Sequence, residues 1–252
     1  NGSGSSYTLK SLTSNVRPIP NIAQITLSDV DLNGIKAAGV LATMANNTFI
    51  SLTADMIRDT AGNRVTPISA SMAQQVSVYT PDMTNPSLTR FDLNMNSGVL
   101  NLSFSETIDA STISLTEILL SNGGSPTFYL RNTSISPINT DRLSIIISMQ
   151  DLNDLKKVPV CRNAANCYIS LPATSLSDTF GNPVTAISIQ QPRQVTNFIN
   201  DTTPPMLSAF VLFDANAGVM VLSFSETVDV STFMITNVSL RDTYVVTTPG
   251  MY

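Results

Sequence analysis

The sequence predicts an all-β protein built from tandem β-sandwich units of about 120 residues, with one short helix per unit. Three features support this. Residues 98–113 and 218–233 share eleven of sixteen amino acids, so one segment occurs twice. Apolar and polar residues alternate there, as in half-buried strands. Stretches rich in glycine, proline and asparagine separate the β-rich runs and favour turns, which gives seven to nine short strands per unit.

The repeated segments are inner strands. In "GVLNLSFSE" at 98–106, Leu100, Leu102 and Phe104 share one face, while Asn101 faces the other way. We expect both copies to fill equivalent cores. The inward positions of the second copy, "GVMVLSFSE", are Met220, Leu222 and Phe224.

The similarity extends along the chain. "DLNGIK" at 31–36 corresponds to "DLNDLK" at 151–156, and "DTAGN" at 59–63 corresponds to "DTFGN" at 178–182. The "DTxGN" segments are interpreted as turns led by aspartate, with glycine or asparagine at positive φ. The nearly constant spacing predicts an uninterrupted tandem array.

The repeat divides the chain into three parts. Residues 82–200 form a complete unit. Residues 1–81 correspond to the C-terminal two thirds of a preceding unit, and residues 201–252 to the N-terminal part of a following one.

One short helix is predicted in each unit. In "SMQDLNDLKKV", Ser148 can cap the helix, and Leu152 and Leu155 share an inward face. The same pattern recurs at 28–38. The preceding "ITLS" at 25–28 is rich in β-formers and predicts a strand.

Three segments resemble a known family. "DTTPP" at 201–205, "FSETVDVST" at 224–232 and "DTFGN" at 178–182 occur in the order found in the SbsA-type bacterial Ig-like domain of surface-layer and cell-surface proteins. The resemblance extends to every unit. It implies tandem Ig-like sandwiches that act as spacers or structural modules, usually without catalysis.

Composition argues against several functions. Charged residues make up 12% of the chain, about half the usual share, which is more typical of secreted proteins than of cytosolic enzymes. A net charge of −5 disfavours nucleic-acid binding. Histidine is absent, and with it the commonest general base and metal ligand. We expect no enzyme, no nucleic-acid partner and, without a long apolar run, no membrane insertion within this chain.

The two cysteines form the motif "CRNAANC". Cys161 and Cys167 lack the spacing of a redox or zinc site. A local disulfide in an oxidising compartment is favoured over two reduced thiols.

Acidic residues near the unit boundaries are calcium candidates, because carboxylates supply the oxygen ligands that calcium requires. The other interpretation is that each carboxylate caps a local turn. No other cofactor is expected. The candidates are Asp82, Glu106, Asp109, Asp201, Glu226 and Asp229.

Six sequons mark candidate N-glycosylation sites, a number close to the chance expectation for this composition. Their positions are informative, since several fall in predicted loops or on an outward strand face. The acceptors are Asn1, Asn46, Asn101, Asn132, Asn200 and Asn237.

We interpret the chain as a structural subunit of an extracellular or cell-surface fibril, glycosylated and partnered by copies of itself. Residues 201–252 of one copy would complete the sandwich begun by residues 1–81 of the next, giving a head-to-tail fibre. The nearly constant spacing favours the alternative, in which the chain is cut from a longer tandem array and the same composite domain is covalent. The other functional hypothesis is an adhesin or carbohydrate-binding array, rigidified by calcium.

Overall fold

The computed structural model describes residues 4–11, 17–19, 21–131, 133–135 and 140–243. The chain divides into two compact units, residues 1–203 and residues 204–252, and each is described by itself. The described residues form mainly β-sheets, with two α-helices of nine residues each. The prediction of an all-β, sandwich-like fold is therefore confirmed. No helix in these ranges has the length and apolar character needed to cross a membrane.

The first part of unit 1 contains two small antiparallel sheets and one helix. β1 pairs with β2, and β3 pairs with β4. Of the strand predicted at 25–28, only Leu27 forms a β-bridge, because β2 ends at Gln24 and Ser28 caps the following helix. The elements are β1 (Arg17–Ile19), β2 (Ile22–Gln24), α1 (Asp29–Ala37), β3 (Phe49–Ile50) and β4 (Gln74–Gln75).

Residues 82–200 contain nine described strands, within the predicted seven to nine, and the predicted helix. The strands are β5 (Leu88–Asn94), β6 (Val99–Ile108), β7 (Leu119–Ser121), β8 (Thr127–Tyr129), β9 (Thr133–Ile135), β10 (Thr140–Ile147), β11 (Tyr168–Ser170), β12 (Arg193–Gln194) and β13 (Asn197–Ile199). The helix α2 spans Met149–Lys157.

These strands form two sheets with an apolar core. One sheet has the order β13-β5-β6-β10-β9, and the other has the order β12-β11-β7-β8. Neighbours are antiparallel except β13 and β5, which are parallel. One continuous cluster of buried side chains draws on both sheets, on α2 and on the disulfide loop. Burial of this apolar surface is the main stabilising contribution.

The β5–β6 hairpin shows how the repeated motif folds. The Asn94 side chain accepts hydrogen bonds from the N–H groups of Asn96 and Ser97, and Gly98 takes a φ of 65° that disfavours other residues. The turn thereby sets the strand register. As predicted, β6 buries one face, with Leu100 and Leu102 fully enclosed.

Both helices begin in the same way. Ser28 of α1 accepts a hydrogen bond from the N–H of Asp31, and Ser148 of α2 accepts one from the N–H of Asp151, each at 3.1 Å. Such caps satisfy N–H groups that lack intrahelical partners. The caps and the buried Leu152 confirm the predicted helix.

Unit 2 repeats the first hairpin. β14 (Leu207–Asp214) and β15 (Val219–Phe224) pair antiparallel, and Gly218 again has a φ of 65°. The expectation that this copy fills an equivalent core is wrong for the described residues. The inward positions Met220, Leu222 and Phe224 are only partly buried, because a hairpin alone has no second sheet to cover it.

Candidate functional site: a buried lysine–carboxylate cluster

The cluster is centred on the ammonium of Lys36. Its Nζ donates a hydrogen bond to Oδ2 of Asp82 at 2.5 Å and another to the Glu106 carboxylate. The side chains of Lys36 and Glu106 are each 8% exposed, and that of Asp82 is 15% exposed. One cation and two carboxylates are therefore almost fully removed from water.

Three elements hold these groups together. Lys36 lies in the last turn of α1, Glu106 lies on β6, and Asp82 precedes β5. One turn before Lys36, Asn33 accepts hydrogen bonds from the backbone N–H of Thr107 at 3.3 Å and from its hydroxyl at 3.0 Å. The helix of one repeat is thus attached to the first hairpin of the next.

The "DTFGN" turn forms another wall of the cluster. Asp178 accepts hydrogen bonds from the N–H groups of Phe180 and Asn182, both at 2.8 Å, which confirms the predicted aspartate-led turn. The Asn182 amide also donates to the carbonyl of Asp82 at 3.2 Å. The Phe180 ring centroid lies 6.0 Å from the Lys36 Nζ, so one side of the ammonium is apolar.

The carboxylates that share Lys36 differ in proton affinity. Burial raises the pKa of Glu106, and the hydrogen bond from Lys36 offsets only part of that rise. Burial also acts to raise the pKa of Asp82, but hydrogen bonds from Lys36 and Thr84 outweigh it and lower that pKa. Burial would lower the pKa of Lys36, whereas its bonds to both carboxylates raise it. Glu106 is therefore the group that takes up a proton more readily.

A related pair lies at the end of the complete unit. Lys156 of α2, the repeat equivalent of Lys36, is 2.9 Å from the Oδ2 atom of Asp201, the equivalent of Asp82. These side chains are 14% and 30% exposed, so this pair is less buried than the first.

The calcium candidates fall into two groups. Asp82 and Glu106 meet Asp178, and one oxygen of each lies within 4.8 Å of the others, a spacing that suits a cation. Here the Lys36 ammonium binds two of the three carboxylates.

Two of the other candidates cap local turns. Asp109 and Asp229 accept hydrogen bonds from the N–H groups of Ser111 and Ser231, each at 2.9 Å, as the turn-capping interpretation expects. Asp201 accepts from the N–H of Thr203, and Glu226 is half-buried.

Cys161 and Cys167 are joined by a disulfide and are fully buried. The loop they close has a counterpart without cysteine. Ala42 and Cys161 have φ values of 53° and 50°, and each backbone N–H donates to the carbonyl of an asparagine five residues later.

Four of the six sequon asparagines are exposed. They are Asn46, Asn101, Asn200 and Asn237. Asn101 lies on the outward face of β6, as the alternation predicted. Asn1 and Asn132 lie outside the described residues.

Two solved structures are similar to parts of the chain. One is the crystal structure of the S-layer protein rSbsC(31-844), with 12% sequence identity, a TM-score of 0.33, and coverage of 55% of this chain and 19% of that chain. The other is the crystal structure of the N-terminal part of the bacterial S-layer protein SbsC, with 14% identity, a TM-score of 0.31, and coverage of 56% of this chain and 33% of that chain. The chain matches at most a third of the length of these proteins. No family model and no curated protein matches the sequence.

Sequence reasoning missed two members of the cluster, Lys36 and Asp178. From the sequence, Asp178 is recognisable only as the first residue of its turn. Lys36 had a usable signal, because lysine is rare in this chain and this position is retained in both "DLNGIK" and "DLNDLK". A charged residue kept at the end of a repeated helix indicates a polar contact with the next repeat.

Proposed function

We propose that the chain is a structural, non-catalytic part of an extracellular or cell-surface fibril built from tandem Ig-like units. The observation that carries this proposal is the attachment of one repeat to the next through Lys36 and Asn33. In tandem arrays, stability depends on the interfaces between neighbouring repeats. A buried, hydrogen-bonded junction restricts rotation between them, as a spacer under load requires.

The disulfide and the composition support an extracellular location. A buried disulfide persists in oxidising compartments. The exposed sequons at Asn46, Asn101, Asn200 and Asn237 fit the proposed covalent glycans. Glycosidase treatment followed by peptide mass spectrometry would locate them.

Exposed core faces in the two incomplete repeats support head-to-tail assembly. Ile50 is 54% exposed, whereas its equivalent Ile169 in the complete unit is fully buried. Phe210 is 50% exposed, whereas its equivalent Phe91 is fully buried. We propose that residues 201–252 of one copy complete the sandwich begun by residues 1–81 of the next. In a continuous tandem polypeptide, the same composite domain would be covalent.

A matched pair of substitutions on β14 tests this assembly. By equivalence with β5, Phe210 faces the missing core, whereas Leu212, which pairs with Val221, corresponds to the outward Asp92, which pairs with Asn101. Phe210→Asp should abolish fibre growth, and Leu212→Asp should leave it intact, as measured by sedimentation and electron microscopy. A wild-type chain that stays monomeric at high concentration would contradict assembly by exchange. An intact mass of native material far above 27.0 kDa would instead support the continuous array.

The alternative, a carbohydrate-binding array rigidified by calcium, has less support. Phe49 is an aromatic residue that is 51% exposed. However, its equivalent in the complete unit is the strand residue Tyr168, so this exposure reflects an incomplete sandwich rather than a separate stacking platform. The best-placed carboxylates already bind Lys36. A calcium-dependent rise in unfolding temperature, reversed by EDTA, would favour this alternative.

A further inference from the structure

We propose that Lys36 and Asp82 become joined by an amide bond between their side chains, with Glu106 relaying protons, so that the junction between two repeats is closed by a covalent cross-link. The proposal does not depend on fibril assembly, because all three residues lie in one chain. It concerns a modification of the lysine–carboxylate cluster, not an activity on an outside substrate.

The reacting atoms are already close together. The Lys36 Nζ lies 2.5 Å from Oδ2 of Asp82, and the carboxyl carbon to be attacked is one bond further. Asn33 fixes the helix that carries the amine, and the Asn182 amide holds the backbone carbonyl of Asp82. A nucleophile held beside its electrophile avoids the entropic cost of their encounter.

Burial opposes the charged forms of these groups, although the hydrogen bonds to both carboxylates hold the pKa of Lys36 above its ordinary value. Lys36 and Glu106 are each 8% exposed, and the Phe180 ring adds an apolar wall. In such a site, charged groups lose hydration that the protein does not fully replace. Proton transfer from the ammonium to a carboxylate yields neutral groups, and a neutral amine is nucleophilic.

Glu106 is suited to the proton relay because it contacts the same ammonium and its pKa is raised by burial. It accepts a proton from Lys36 and delivers it to the departing oxygen of Asp82. The amine attacks the carboxyl carbon, a C–N bond forms, one C–O bond breaks, and water leaves. Overall, one ammonium and one carboxylate become one amide and one water, so no oxidant, reductant or co-reactant is needed.

A second observation supports Asp82 as the carboxylate that forms the amide bond with Lys36. At the end of the complete unit, Lys156 again contacts an aspartate, Asp201, at 2.9 Å. Two repeats therefore place a lysine at the end of the helix against the aspartate that begins the next unit. The second pair is more exposed and serves as an internal comparison.

Peptide mass spectrometry of the full chain, after enzymatic removal of N-glycans, tests the bond. Trypsin should not cleave at the modified Lys36, and Arg17 is followed by proline. Residues 11–58 should therefore appear joined to residues 65–90, lighter than the two peptides together by one water. Separate peptides 11–36 and 37–58 would overturn the proposal. Residues 11–58 joined to 91–131 would also overturn it, because the acceptor would then be Glu106.

Two variants test the chemistry with the fold preserved. Lys36→Arg keeps the positive charge but lacks the amine, so the cross-link should be absent while circular dichroism stays unchanged. Glu106→Gln keeps the shape and a hydrogen bond to Lys36, and cross-linking should slow by at least about 100-fold. Lys156→Arg is the matched control and should leave the Lys36 cross-link intact. Wild-type cross-linking rates in Glu106→Gln would disprove the relay.

Discussion

The β5–β6 hairpin and the β14–β15 hairpin have similar sequences, most alike in their second strands, but different surroundings. Both pair antiparallel, and both turn at a glycine with a φ of 65°. Phe91 of the first is fully buried, whereas Phe210 of the second is 50% exposed. The strands and the turn are therefore encoded locally, but the core requires the rest of the sandwich. A repeat that lacks its N-terminal or C-terminal part therefore exposes apolar side chains that a complete sandwich buries.

Replacing the equivalent residues Phe91 and Phe210 by alanine should give the largest difference in stability between the two hairpins. Phe91→Ala should cost about 3–5 kcal/mol, because it leaves a cavity in a closed core. Phe210→Ala should change the stability of the unassembled chain by no more than about 0.5 kcal/mol, as exposed substitutions usually do. Denaturant unfolding at low protein concentration measures both values. Equal costs would show that the second hairpin is already buried in the single chain.

The two lysine–aspartate pairs extend the comparison to the junctions. Relative to the chain before any cross-link forms, Lys36→Met should be destabilising by about 3 kcal/mol or more, because it leaves two buried carboxylates without their cation. Lys156→Met should cost about 1 kcal/mol or less, since its pair with Asp201 is more exposed. The unfolding midpoint of each variant, compared with that of the wild type, measures the two losses of stability. A larger loss for Lys156→Met would contradict the ranking by burial.

The strands and the helix could be predicted from sequence because their signals are local. Leu100 and Leu102 alternate with polar residues, and Ser148 precedes an amphipathic turn, so each element follows from its own residues. The same locality explains why only Leu27 of the run at 25–28 forms a β-bridge: Ser28 serves as a helix cap although its neighbours favour a strand.

The cluster could not be predicted in the same way, since its members are distant in sequence. Lys36 and Glu106 are 70 residues apart, and Asp178 lies further along the chain. Asp82 and Glu106 were identified as boundary acids, but the partner that binds them depends on how α1 packs on β6. The partial exposure of Met220 and Leu222 could not be predicted either. The alternation of apolar and polar residues shows which face of a strand is apolar, but not whether another element covers that face.

The equivalent loops at 42–48 and 161–167 allow a third comparison between repeats, with a smaller expected effect on stability. In both, an asparagine side chain accepts a hydrogen bond from a backbone N–H at 2.9 Å, so the turn forms with or without a disulfide. Replacing Cys161 and Cys167 by alanine should therefore keep the loop conformation and cost about 2 kcal/mol, the value expected for a short closed loop. Thermal unfolding measures the loss. Wild-type protein under reducing conditions is the control, and an unchanged unfolding temperature would contradict the prediction.

The smallest predicted effect is the pH dependence of α1, in the incomplete first repeat. The Asp31 carboxylate accepts backbone hydrogen bonds from Lys10 at 2.9 Å and Ser11 at 3.0 Å. The bond from Lys10 is the main cause that lowers the pKa of Asp31 from its ordinary 3.8 to about 2, against the opposing effect of burial. Because the folded pKa is the lower one, this stabilisation is complete above about pH 4 and is lost as the pH falls towards about 2.

An Asp31→Asn variant isolates this contribution, because asparagine cannot carry the charge that the N–H groups stabilise. At pH 7 it should be less stable than the wild type, and the difference should shrink as the pH falls and approach zero only below about pH 2, where Asp31 is protonated in the folded chain as well. Other carboxylates titrate in both proteins, so they cancel in the difference. A stability gap that stays constant between pH 7 and pH 2 would show that the charge of Asp31 does not hold the segment at residues 10 and 11 against α1. The hydrogen bonds from Lys10 and Ser11 to Asp31 would then not be the interaction that stabilises α1 in the absence of a complete sandwich.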